Sequence, residues 1–361
     1  MESLVMSRLP DQRFWSGKRV FLTGHTGFKG TWARLWLSRL GAEVVGYALS
    51  PATTPSLHGL AGSAGLTAET IADIRDGTTL TKALNDCNPD IILHMAAQPL
   101  VRRSYLEPVD TFDVNVMGTV RLLEAARSLE ALKAVLVVTT DKVYSNDESG
   151  RHFVETDRLG GHDPYSGSKA AAEIAAATYR DSFFRSKGVH VGTARGGNVL
   201  GGGDFSEDRL VPDIVRAAIA GKILDIRSPL ATRPWQHVLD CLNGYFLFCE
   251  ALYSGAASAE SLNFGPSPDE AQIPVGVVAS SVQTAMGLGQ TWQDTSAADK
   301  PREMHALGLD PAEASRSLSW RARLSQAEAI DWAARWYDQW RRGEDALSLV
   351  TGQIDAFTKG A

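Results

Sequence analysis

Two residues, Tyr165 and Lys169, carry the strongest chemical signal in the sequence. They stand four positions apart, a spacing that places both side chains on one face of a helix. An ammonium group beside a phenol lowers the pKa of the phenol, so Tyr165 is expected to remove a proton from an alcohol near neutral pH. The spacing alone is common, and an exposed Tyr–Lys pair on a solvated helix is the alternative interpretation.

A second polar group, Thr140-Asp141-Lys142, follows a run of strand-forming residues that begins at Ala134. Ligands of open α/β sheets bind beyond the carboxyl ends of the strands, so these side chains are expected to face a binding crevice. Thr140 can hydrogen-bond a reacting hydroxyl, and Asp141 and Lys142 form an acid–base pair that the oxidation of a simple alcohol does not require. The alternative is a capping aspartate beside a surface lysine.

Three glycines, Gly24, Gly27 and Gly30, lie between a predicted strand at residues 20–23 and a predicted helix at residues 28–40. Glycine here permits a tight turn, the close approach of a pyrophosphate and close packing of the helix on the strand. The start of the helix then offers free N–H groups to the anion. The loop therefore predicts a dinucleotide-binding site. No acidic residue follows the second strand, which leaves the choice between NAD and NADP open.

The candidate cofactor-binding residues also include the ends of neighbouring strands. Asp73 is expected to accept a hydrogen bond from an adenine amino group, although a role as a turn residue fits its position equally well. The full set is Gly24, Thr26, Gly27, Phe28, Lys29, Gly30, Asp73, Ile74, Ala96, Gln98, Tyr165 and Lys169.

Alternating apolar and helical patterns predict the elements that position these residues. Apolar runs predict strands, and helical spacing predicts helices at residues 28–40, 113–129 and 168–184; the strands are expected at 20–23, 43–48, 90–95, 134–140 and 189–194. Strands that are apolar on both faces and separated by helices form a parallel sheet with helices on each side. We therefore predict an α/β fold, a doubly wound, mostly parallel Rossmann sheet with a smaller C-terminal α+β lobe.

The predicted domain boundaries follow from this pattern, which loosens after about Asn198. The cofactor-binding Rossmann domain is expected at residues 14–197, with sheet elements returning near residues 233–265. An interleaved substrate-binding lobe is expected at residues 198–350. Residues 1–13 are expected to be a dispensable N-terminal extension.

Composition and charge exclude several other classes of protein. The 361 residues carry a net charge of −6, so no nucleic-acid partner is expected. The three cysteines are odd in number and none belongs to a CxxC pair, so we expect neither a disulfide framework nor a metal site. No segment reaches the roughly 18 consecutive apolar residues of a membrane span, and residues 1–13 lack an apolar run of signal-peptide length. We expect no membrane partner and a cytoplasmic location.

The chain resembles the extended short-chain dehydrogenase/reductase superfamily, and within it the nucleotide-sugar 4,6-dehydratases. The resemblance covers residues 14–340 and rests on the segments TGHTGFKG (23–30), TDKVY (140–144), YSGSK (165–169), RGGNVLGGGD (195–204) and RPWQHV (233–238). The Asp141-Lys142 pair, with His25 and Lys29, is typical of the CDP-sugar branch. The related dTDP-glucose enzymes carry Asp-Glu at that pair.

The resemblance implies a tightly held NAD that is regenerated within each turnover. In that scheme Tyr165 deprotonates the C4 hydroxyl of the sugar, Thr140 orients it, and a hydride passes from C4 to NAD and later to C6. Between these steps water leaves across C5–C6, with Asp141 as the expected acid at the C6 oxygen. Lys169 holds the ribose and, together with a cationic nicotinamide, lowers the pKa of Tyr165. Whether Lys142 is the C5 base or tunes Asp141 stays open.

The same resemblance implies a nucleotide-sugar substrate, CDP-glucose before others, and a homodimer or larger homo-oligomer built through the helices at 113–129 and 168–184. Arginine suits a diphosphate because its guanidinium donates two parallel hydrogen bonds. For Arg209, a surface ion pair with Glu207 or Asp208 is the alternative. The residues expected around the diphosphate and base are Asn198, Arg209, Arg233 and His237.

Two other functions are not excluded by the sequence. A 4-epimerase or reductase acting on nucleotide sugars would use Tyr165 and Lys169 and leave Asp141 and Lys142 idle, and a dehydratase could act on a different nucleotide hexose. A non-catalytic NAD-binding regulator would have no reason to retain Tyr165 and Lys169. The chain also departs from the family pattern at Glu313, where the family carries a lysine after Leu-Asp, which weakens any substrate role for that segment.

Overall fold

The computed structural model describes residues 7–289, 292–296 and 307–359 of the chain. Within these ranges the strands are β1 (Arg19–Thr23), β2 (Glu43–Ala48), β3 (Ala68–Ile71), β4 (Ile91–His94), β5 (Ala134–Val138), β6 (His152–Phe153), β7 (His190–Gly196), β8 (Val199–Leu200), β9 (Leu224–Ile226), β10 (Thr232–Arg233), β11 (Gln236–His237), β12 (Ser261–Phe264), β13 (Ile273–Pro274), β14 (Trp292–Asp294) and β15 (Gly308–Leu309). The α-helices are α1 (Gln12–Trp15), α2 (Phe28–Arg39), α3 (Leu57–Ala61), α4 (Gly77–Cys87), α5 (Val101–Leu106), α6 (Pro108–Phe112), α7 (Gly118–Ala126), α8 (Pro164–Tyr179), α9 (Leu210–Ile219), α10 (Val238–Ser254), α11 (Val275–Ala285), α12 (Ala312–Leu318), α13 (Gln326–Arg341) and α14 (Ala346–Lys359).

Seven of these strands form one parallel sheet in the order β3-β2-β1-β4-β5-β7-β12. Val20 of β1 pairs with Val44 of β2 on one side and with Ile91 of β4 on the other. The strand order reverses between β1 and β4, and open α/β sheets bind their ligands beyond the carboxyl ends of the strands at such a point. The predicted doubly wound α/β Rossmann sheet is confirmed.

Alternate residues of the central strands explain why both faces of the sheet are covered. Val20 and Leu22 pack into the cluster that includes α2 and α10, whereas Phe21 between them packs into the cluster that includes α4 and α7. Side chains alternate along a strand, so a strand covered on both faces has to be apolar throughout. β5 meets that requirement, since all five of its residues are buried.

The helices that flank the site differ in detail from the predicted ones. α8 begins four residues earlier than predicted, because Asp163 caps its first turn by accepting a hydrogen bond from the Ser166 N–H and Pro164 takes the first helical position. The helix predicted from residue 113 starts instead with a π-helical turn, Asp113–Met117, and a second π-helical turn, Arg180–Phe184, follows α8. Short 3-10 turns cover Asp141–Val143 and Arg185–Lys187.

The second half of the chain contributes both to the sheet and to a smaller lobe. β12 returns to the edge of the main sheet beside β7, within the region where a return was predicted. α9, α11 and α13 pack together with short two-stranded ladders, β10 with β13 and β9 with β14. None of the helices in the described ranges is long and apolar enough to span a lipid bilayer.

The start of the described chain is docked onto α10. The Arg8 guanidinium lies 2.6 Å from the Glu250 carboxylate, and the Asp11 N–H donates to the same carboxylate at 2.7 Å. The Arg8 N–H also donates to the backbone oxygen of Ser319. These contacts run against the expectation that residues 7–13 are dispensable. Residues 1–6 of the predicted extension lie outside the described residues.

Candidate active site

The glycine loop between β1 and α2 forms a cradle that side chains would fill. Gly24 has φ +76°, and a Cβ there would lie 2.8 Å from the backbone nitrogen of Ala96. A Cβ on Gly30 would collide with the carbonyl oxygen of Gly24. Gly27 precedes the first turn of α2 without any side-chain cap, so the N–H groups of that turn remain available to an anion. The loop therefore fits the pyrophosphate of a dinucleotide.

Three of the four residues between these glycines were predicted to bind the cofactor, and they take different positions. Thr26 Oγ1 donates to the backbone oxygen of Leu49, which ties the loop to the end of β2. Phe28 packs against the core and lies beside Gly201. Lys29 Nζ donates to the Tyr245 Oη at 3.4 Å. Thr26 and Phe28 thus hold the loop in shape, and Lys29 brings a positive charge beneath it.

Gln98 and Ala96 follow β4 in a loop that an asparagine holds. The Gln98 N–H donates to Asn115 Oδ1 at 2.8 Å, and Asn115 Nδ2 donates to the backbone oxygen of Gln98 and to Ser168 Oγ. The side-chain amide of Gln98 is itself bonded to Leu100 and Thr111. Gln98 therefore shapes the loop with its whole amide, and a direct bond from that amide to a cofactor stays a prediction. Asn115 was missed, although a polar residue inside a helical apolar pattern was a usable signal.

Asp73 and Ile74 lie at the turn after β3. The Asp73 carboxylate forms a bidentate pair with Arg75, which holds the pKa of that carboxyl below its usual range. Ile74 is buried against Gly118, so that a Cβ on the glycine would lie 2.8 Å from its Cγ2. A contact of either residue with adenine stays a prediction.

Tyr165 and Lys169 lie in the first two turns of α8 and are both buried. Lys169 Nζ donates to the backbone oxygen of Val138, the last residue of β5, at 3.1 Å. Burial lowers the pKa of Lys169 to about 8, and the positive charge of Lys29 acts in the same direction. The pair lies at the carboxyl end of the sheet, as predicted, instead of on a solvated helix face.

The electrostatics of Tyr165 differ from the expectation. Burial raises the pKa of the phenol above its ordinary value, while a hydrogen bond with Thr140 and the positive charge of Arg209 act in the opposite direction. Desolvation is the largest of these effects and disfavours the charged phenolate. The lowering expected from Lys169 together with a cationic nicotinamide stays a prediction.

Asp141 is a buried carboxylate with one oxygen bonded and the other not. Its Oδ1 accepts a hydrogen bond from Thr140 Oγ1 at 2.9 Å and lies 3.5 Å from Lys142 Nζ. Its Oδ2 is fully enclosed and has no hydrogen-bond partner among the described residues. A buried carboxylate oxygen without a hydrogen bond destabilises the fold. A hydroxyl group of a bound ligand would supply the missing hydrogen bond. Thr140 therefore lies between the two groups: its hydroxyl donates to Asp141, and its interaction with the Tyr165 phenol lowers the pKa of that phenol.

Behind this group, α8 is fixed to the sheet by a buried ion pair. Glu173 accepts two hydrogen bonds from Arg195, at 2.9 and 2.6 Å, and both side chains are 3% exposed. Thr139 Oγ1 and Thr193 Oγ1 donate to the remaining positions on the carboxylate. Glu173 stands one helical turn beyond Lys169, so this network fixes the orientation of the Tyr165–Lys169 pair.

Three of the four predicted substrate residues line one cavity of about 250 Å³ between β8, α9 and β10. Asn198 Nδ2 is buried there without a hydrogen-bond partner in the described residues. Arg209 does not take the alternative surface pair, since Asp208 pairs instead with Arg102 at 2.7 Å. Arg233 completes the set of three.

His237 is not brought to this cavity. It is completely buried, caps the start of α10 by accepting a hydrogen bond from the Leu239 N–H, and lies against the rings of Trp32 and Trp332. Burial lowers its pKa to about 3. His237 therefore does not line this cavity, because its position at the start of α10 turns the ring into the core, and its contact with the substrate stays a prediction.

Tyr245 is a further residue that the sequence did not reveal. It is completely buried on α10, and its pKa is raised well above the ordinary value, chiefly by burial, with Cys241, Tyr165 and Asp141 acting in the same direction. With Lys29 it forms the floor beneath the glycine loop. A tyrosine in a mostly apolar helix gives no signal in sequence, since its partner Lys29 is 216 residues away.

The fold and these groups define a class of protein. A Rossmann sheet, a glycine loop after β1 and a Tyr–Lys pair beyond β5 are the marks of the extended short-chain dehydrogenase/reductases. More narrowly, residues 21–332 match the model of the GDP-mannose 4,6 dehydratase family, and the chain belongs to this family.

Two individual relatives, both 4,6-dehydratases, differ in how similar they are to the chain. The chain is 43% identical over 353 residues to the CDP-glucose 4,6-dehydratase of Salmonella typhimurium. The aligned residues cover 96% of this chain and 98% of that protein. The chain is 28% identical over 339 residues to the dTDP-glucose 4,6-dehydratase of Xanthomonas campestris pv. campestris, covering 88% of this chain and 92% of the relative.

Solved structures agree with the fold. The structure of MoeE5 in complex with UDP-glucuronic acid and NAD is 25% identical with a TM-score of 0.74, over 90% of this chain and 99% of that one. The dTDP-glucose 4,6-dehydratase from Bacillus anthracis in complex with NAD is 21% identical with a TM-score of 0.72, over 92% and 99% of the two chains. At that identity the second likeness shows the fold alone.

Proposed function

We propose that this protein is an NAD-dependent hydro-lyase that converts CDP-D-glucose into CDP-4-keto-6-deoxy-D-glucose. The similarity to a CDP-glucose 4,6-dehydratase over nearly the whole of both chains supports the reaction. The observation that carries the proposal is the group at Tyr165, where the buried Oδ2 of Asp141 lacks a partner and Lys142 holds Oδ1. An epimerase needs Tyr165 and Lys169 but has no use for that carboxylate.

The cofactor is NAD, and the residues of the loop after β1 fit it. Gly24, Gly27 and Gly30 leave room for the pyrophosphate, and the uncapped first turn of α2 offers it N–H groups. Lys169 is available to the ribose beside Tyr165. When bound, NAD supplies the chemistry that takes a hydride from C4 of the sugar and returns it to C6.

Thr140 lies between Tyr165 and Asp141 and donates a hydrogen bond to Asp141, which provides a route for one proton. Tyr165 removes the proton from the C4 hydroxyl, and the product keeps a ketone at C4, so this proton is not returned there. Passed along Thr140, it reaches the carboxylate of Asp141, which can deliver it to the C6 oxygen as that oxygen leaves as water. These three side chains account for the C4 proton, which leaves in the water. The C5 proton lost in the same step is taken up by a separate base at the site and returns to C5 as the hydride reaches C6.

Lys142 positions this carboxylate. Its Nζ lies 3.5 Å from Oδ1 of Asp141, on the oxygen that Thr140 also holds. The other oxygen is thereby left for the substrate. The side chain of Lys142 is only 18% exposed, so its charge acts on Asp141 with little screening by water.

The nucleotide part of the substrate fits the cavity between β8, α9 and β10. Arg209 and Arg233 bring two guanidinium groups to a diphosphate, and Asn198 has an amide N–H available for it. The cavity gives no physical argument for cytosine over other bases, so the choice of CDP-glucose rests on the similarity to the relative that acts on it.

The proposal is tested by incubating the purified protein with CDP-glucose, dTDP-glucose and GDP-glucose and measuring the alkali-dependent absorbance of a 4-ketone. We expect ketone from CDP-glucose at the highest rate. The variant Tyr165→Phe should abolish it, whereas Tyr179→Phe, in the last turn of the same helix and bonded only to Glu124 at the surface, should not. A C4-inverted sugar without ketone would refute dehydration.

The assembly and the location are also proposed. Apolar side chains at Leu106, Val109 and Ile174 are 83%, 81% and 59% exposed on α5, α6 and α8, which supports a homodimer through these helices. Light scattering should find twice the mass of one chain. The double variant Leu106→Glu with Val109→Glu should lower the measured mass to that of a single chain. A cytoplasmic location is supported by the substrate and cofactor, which are cytoplasmic metabolites.

A further inference from the structure

Three side chains that the proposed reaction does not use meet beside the glycine loop. His25 follows Gly24, His58 lies in α3 and Glu69 lies in β3. His25 Nε2 lies 2.8 Å from Glu69 Oε2, and His58 Nε2 lies 3.9 Å from the same oxygen. One nitrogen or oxygen from each residue lies within 4.8 Å of those of the other two. Two imidazoles and a carboxylate are a common ligand set for zinc.

The spacing suits a tetrahedral ion. Zinc bonds nitrogen and oxygen at about 2.0–2.2 Å, so two ligand atoms of one tetrahedral ion lie roughly 3.3–3.5 Å apart. The distances of 2.8 and 3.9 Å from the two imidazoles to Glu69 fall on either side of that value, and all three ligand atoms lie within 4.8 Å of one another. Binding of an ion would therefore draw the three side chains closer together. The side chains of His58 and Glu69 are 15% and 33% exposed, which gives an ion a path from solvent and room for a water ligand.

The imidazoles have unused hydrogen-bonding capacity. Nδ1 of His25 and Nδ1 of His58 are both buried without a hydrogen-bond partner in the described part of the chain. Glu69 lies within hydrogen-bond distance of His25 only, since Nε2 of His58 is 3.9 Å from the same oxygen.

Arg34 is the group that opposes an ion here. Its side chain is completely buried, its Nη2 donates to the backbone oxygen of Gly62 at 2.6 Å, and its charge acts on His25, His58 and Glu69. A second cation is therefore repelled, which selects for an ion that gains much from imidazole. Mg²⁺ and Ca²⁺ prefer oxygen ligands and gain little from two histidines, whereas Zn²⁺ suits them.

We propose that His25, His58 and Glu69 form a binding site for a divalent first-row metal ion, with Zn²⁺ as the ion whose ligand preferences it fits. The three residues come from separate elements, so the cysteine-based expectation of no metal site could not detect them. A bound ion would join the glycine loop, through His25, to α3 and β3. Metal and dinucleotide would then change each other's affinity by the same factor.

The test measures metal binding by the full chain and does not depend on the proposed reaction. Protein freed of metal with a chelator is titrated with ZnCl₂ in competition with a chromophoric chelator. One equivalent should bind, and His58→Gln and Glu69→Gln should each weaken binding at least tenfold. His190→Gln, which removes an exposed histidine from β7, should bind zinc like the unaltered chain.

Cobalt absorption of the unaltered chain gives a second readout that needs no variant. Co²⁺ bound by two imidazoles and a carboxylate should show the visible bands of a tetrahedral site without the near-ultraviolet band of a thiolate ligand. A thiolate band would assign the ion to a cysteine such as Cys87 and overturn the proposal. So would the absence of stoichiometric zinc, or equal affinity in the unaltered chain and in both variants.

Discussion

Two buried carboxylates, Glu173 and Asp141, lie on either side of the Tyr165–Lys169 pair and differ in how they are satisfied. Glu173 has both oxygens bonded, by Arg195 and two threonines. Asp141 is buried to the same degree but has one oxygen without a partner in the described residues. A fully bonded charge stabilises one structure, whereas a half-bonded charge costs stability unless a ligand completes it. The difference distinguishes the carboxylate that builds the site from the one that acts in it.

The largest effect is expected on turnover, when Asp141 is made neutral. Asp141→Asn keeps the shape of the side chain but cannot take up and deliver the proton for water loss. We expect kcat for ketone formation to fall by about 10²–10⁴-fold, the range typical of a lost general acid or base. Thermal unfolding should show an unchanged or higher Tm, since the uncompensated buried charge is gone. A lower Tm with normal kcat would reverse the roles of the two carboxylates.

The corresponding change at Glu173 should act on stability. Glu173→Gln leaves the Arg195 guanidinium buried beside a neutral amide, and losing one partner of a buried ion pair destabilises by about 3–5 kcal/mol. Denaturant unfolding of the two variants measures this free energy. The double variant Glu173→Met with Arg195→Met removes both charges and is the control, expected to be less destabilised than Glu173→Gln alone. Equal losses would mean that packing, not charge, fixes α8.

Glu250 is a third carboxylate for this comparison, and its hydrogen-bond partners come from the N-terminal segment of the chain. Its oxygens accept hydrogen bonds from Arg8, the Asp11 N–H and Trp15 Nε1. Deleting residues 1–13 removes two of these partners, and we expect the free energy of unfolding to fall by about 1–3 kcal/mol. Arg13→Ala, an exposed change in the same segment, should have no measurable effect. An unchanged free energy after the deletion would restore the view of this segment as dispensable.

A smaller effect is expected on the pH dependence of kcat when a charge near Lys169 is removed. Lys29 is one of the charges that, with burial, lower the pKa of Lys169 to about 8. Above that pH the ammonium of Lys169 is lost, so activity should fall on the alkaline side. Lys29→Met removes a neighbouring positive charge, so the pKa of Lys169 rises and the alkaline limb of kcat moves to higher pH. A limb that stays in place or moves lower would show that another group sets it.

The sequence predicted the fold and the main chemical residues for a physical reason. The apolar runs that form strands, the glycine loop and the Tyr165–Lys169 spacing are all local patterns. Each involves residues that lie close together in the sequence. The carboxyl ends of parallel strands then meet at one edge, which brings Thr140 and Asp141 to the glycine loop.

The features that the sequence missed depend on distant contacts. His237 turns into the core because it caps α10 between two tryptophans, and Tyr245 meets Lys29 from far along the chain. The rise in the pKa of the Tyr165 phenol by burial was not predicted, because the degree of burial cannot be obtained from the motif. Pairing between side chains that are far apart in sequence thus limits what the sequence alone predicts.

The central claim is an internal redox reaction with loss of water, and isotope tracing tests it most directly. CDP-glucose carrying deuterium at C4 is converted by the purified protein, and the product is examined by NMR and mass spectrometry. The account predicts a 4-keto-6-deoxy sugar in which the deuterium from C4 is now on C6. Deuterium retained at C4 of an inverted sugar, or lost to solvent, would contradict it.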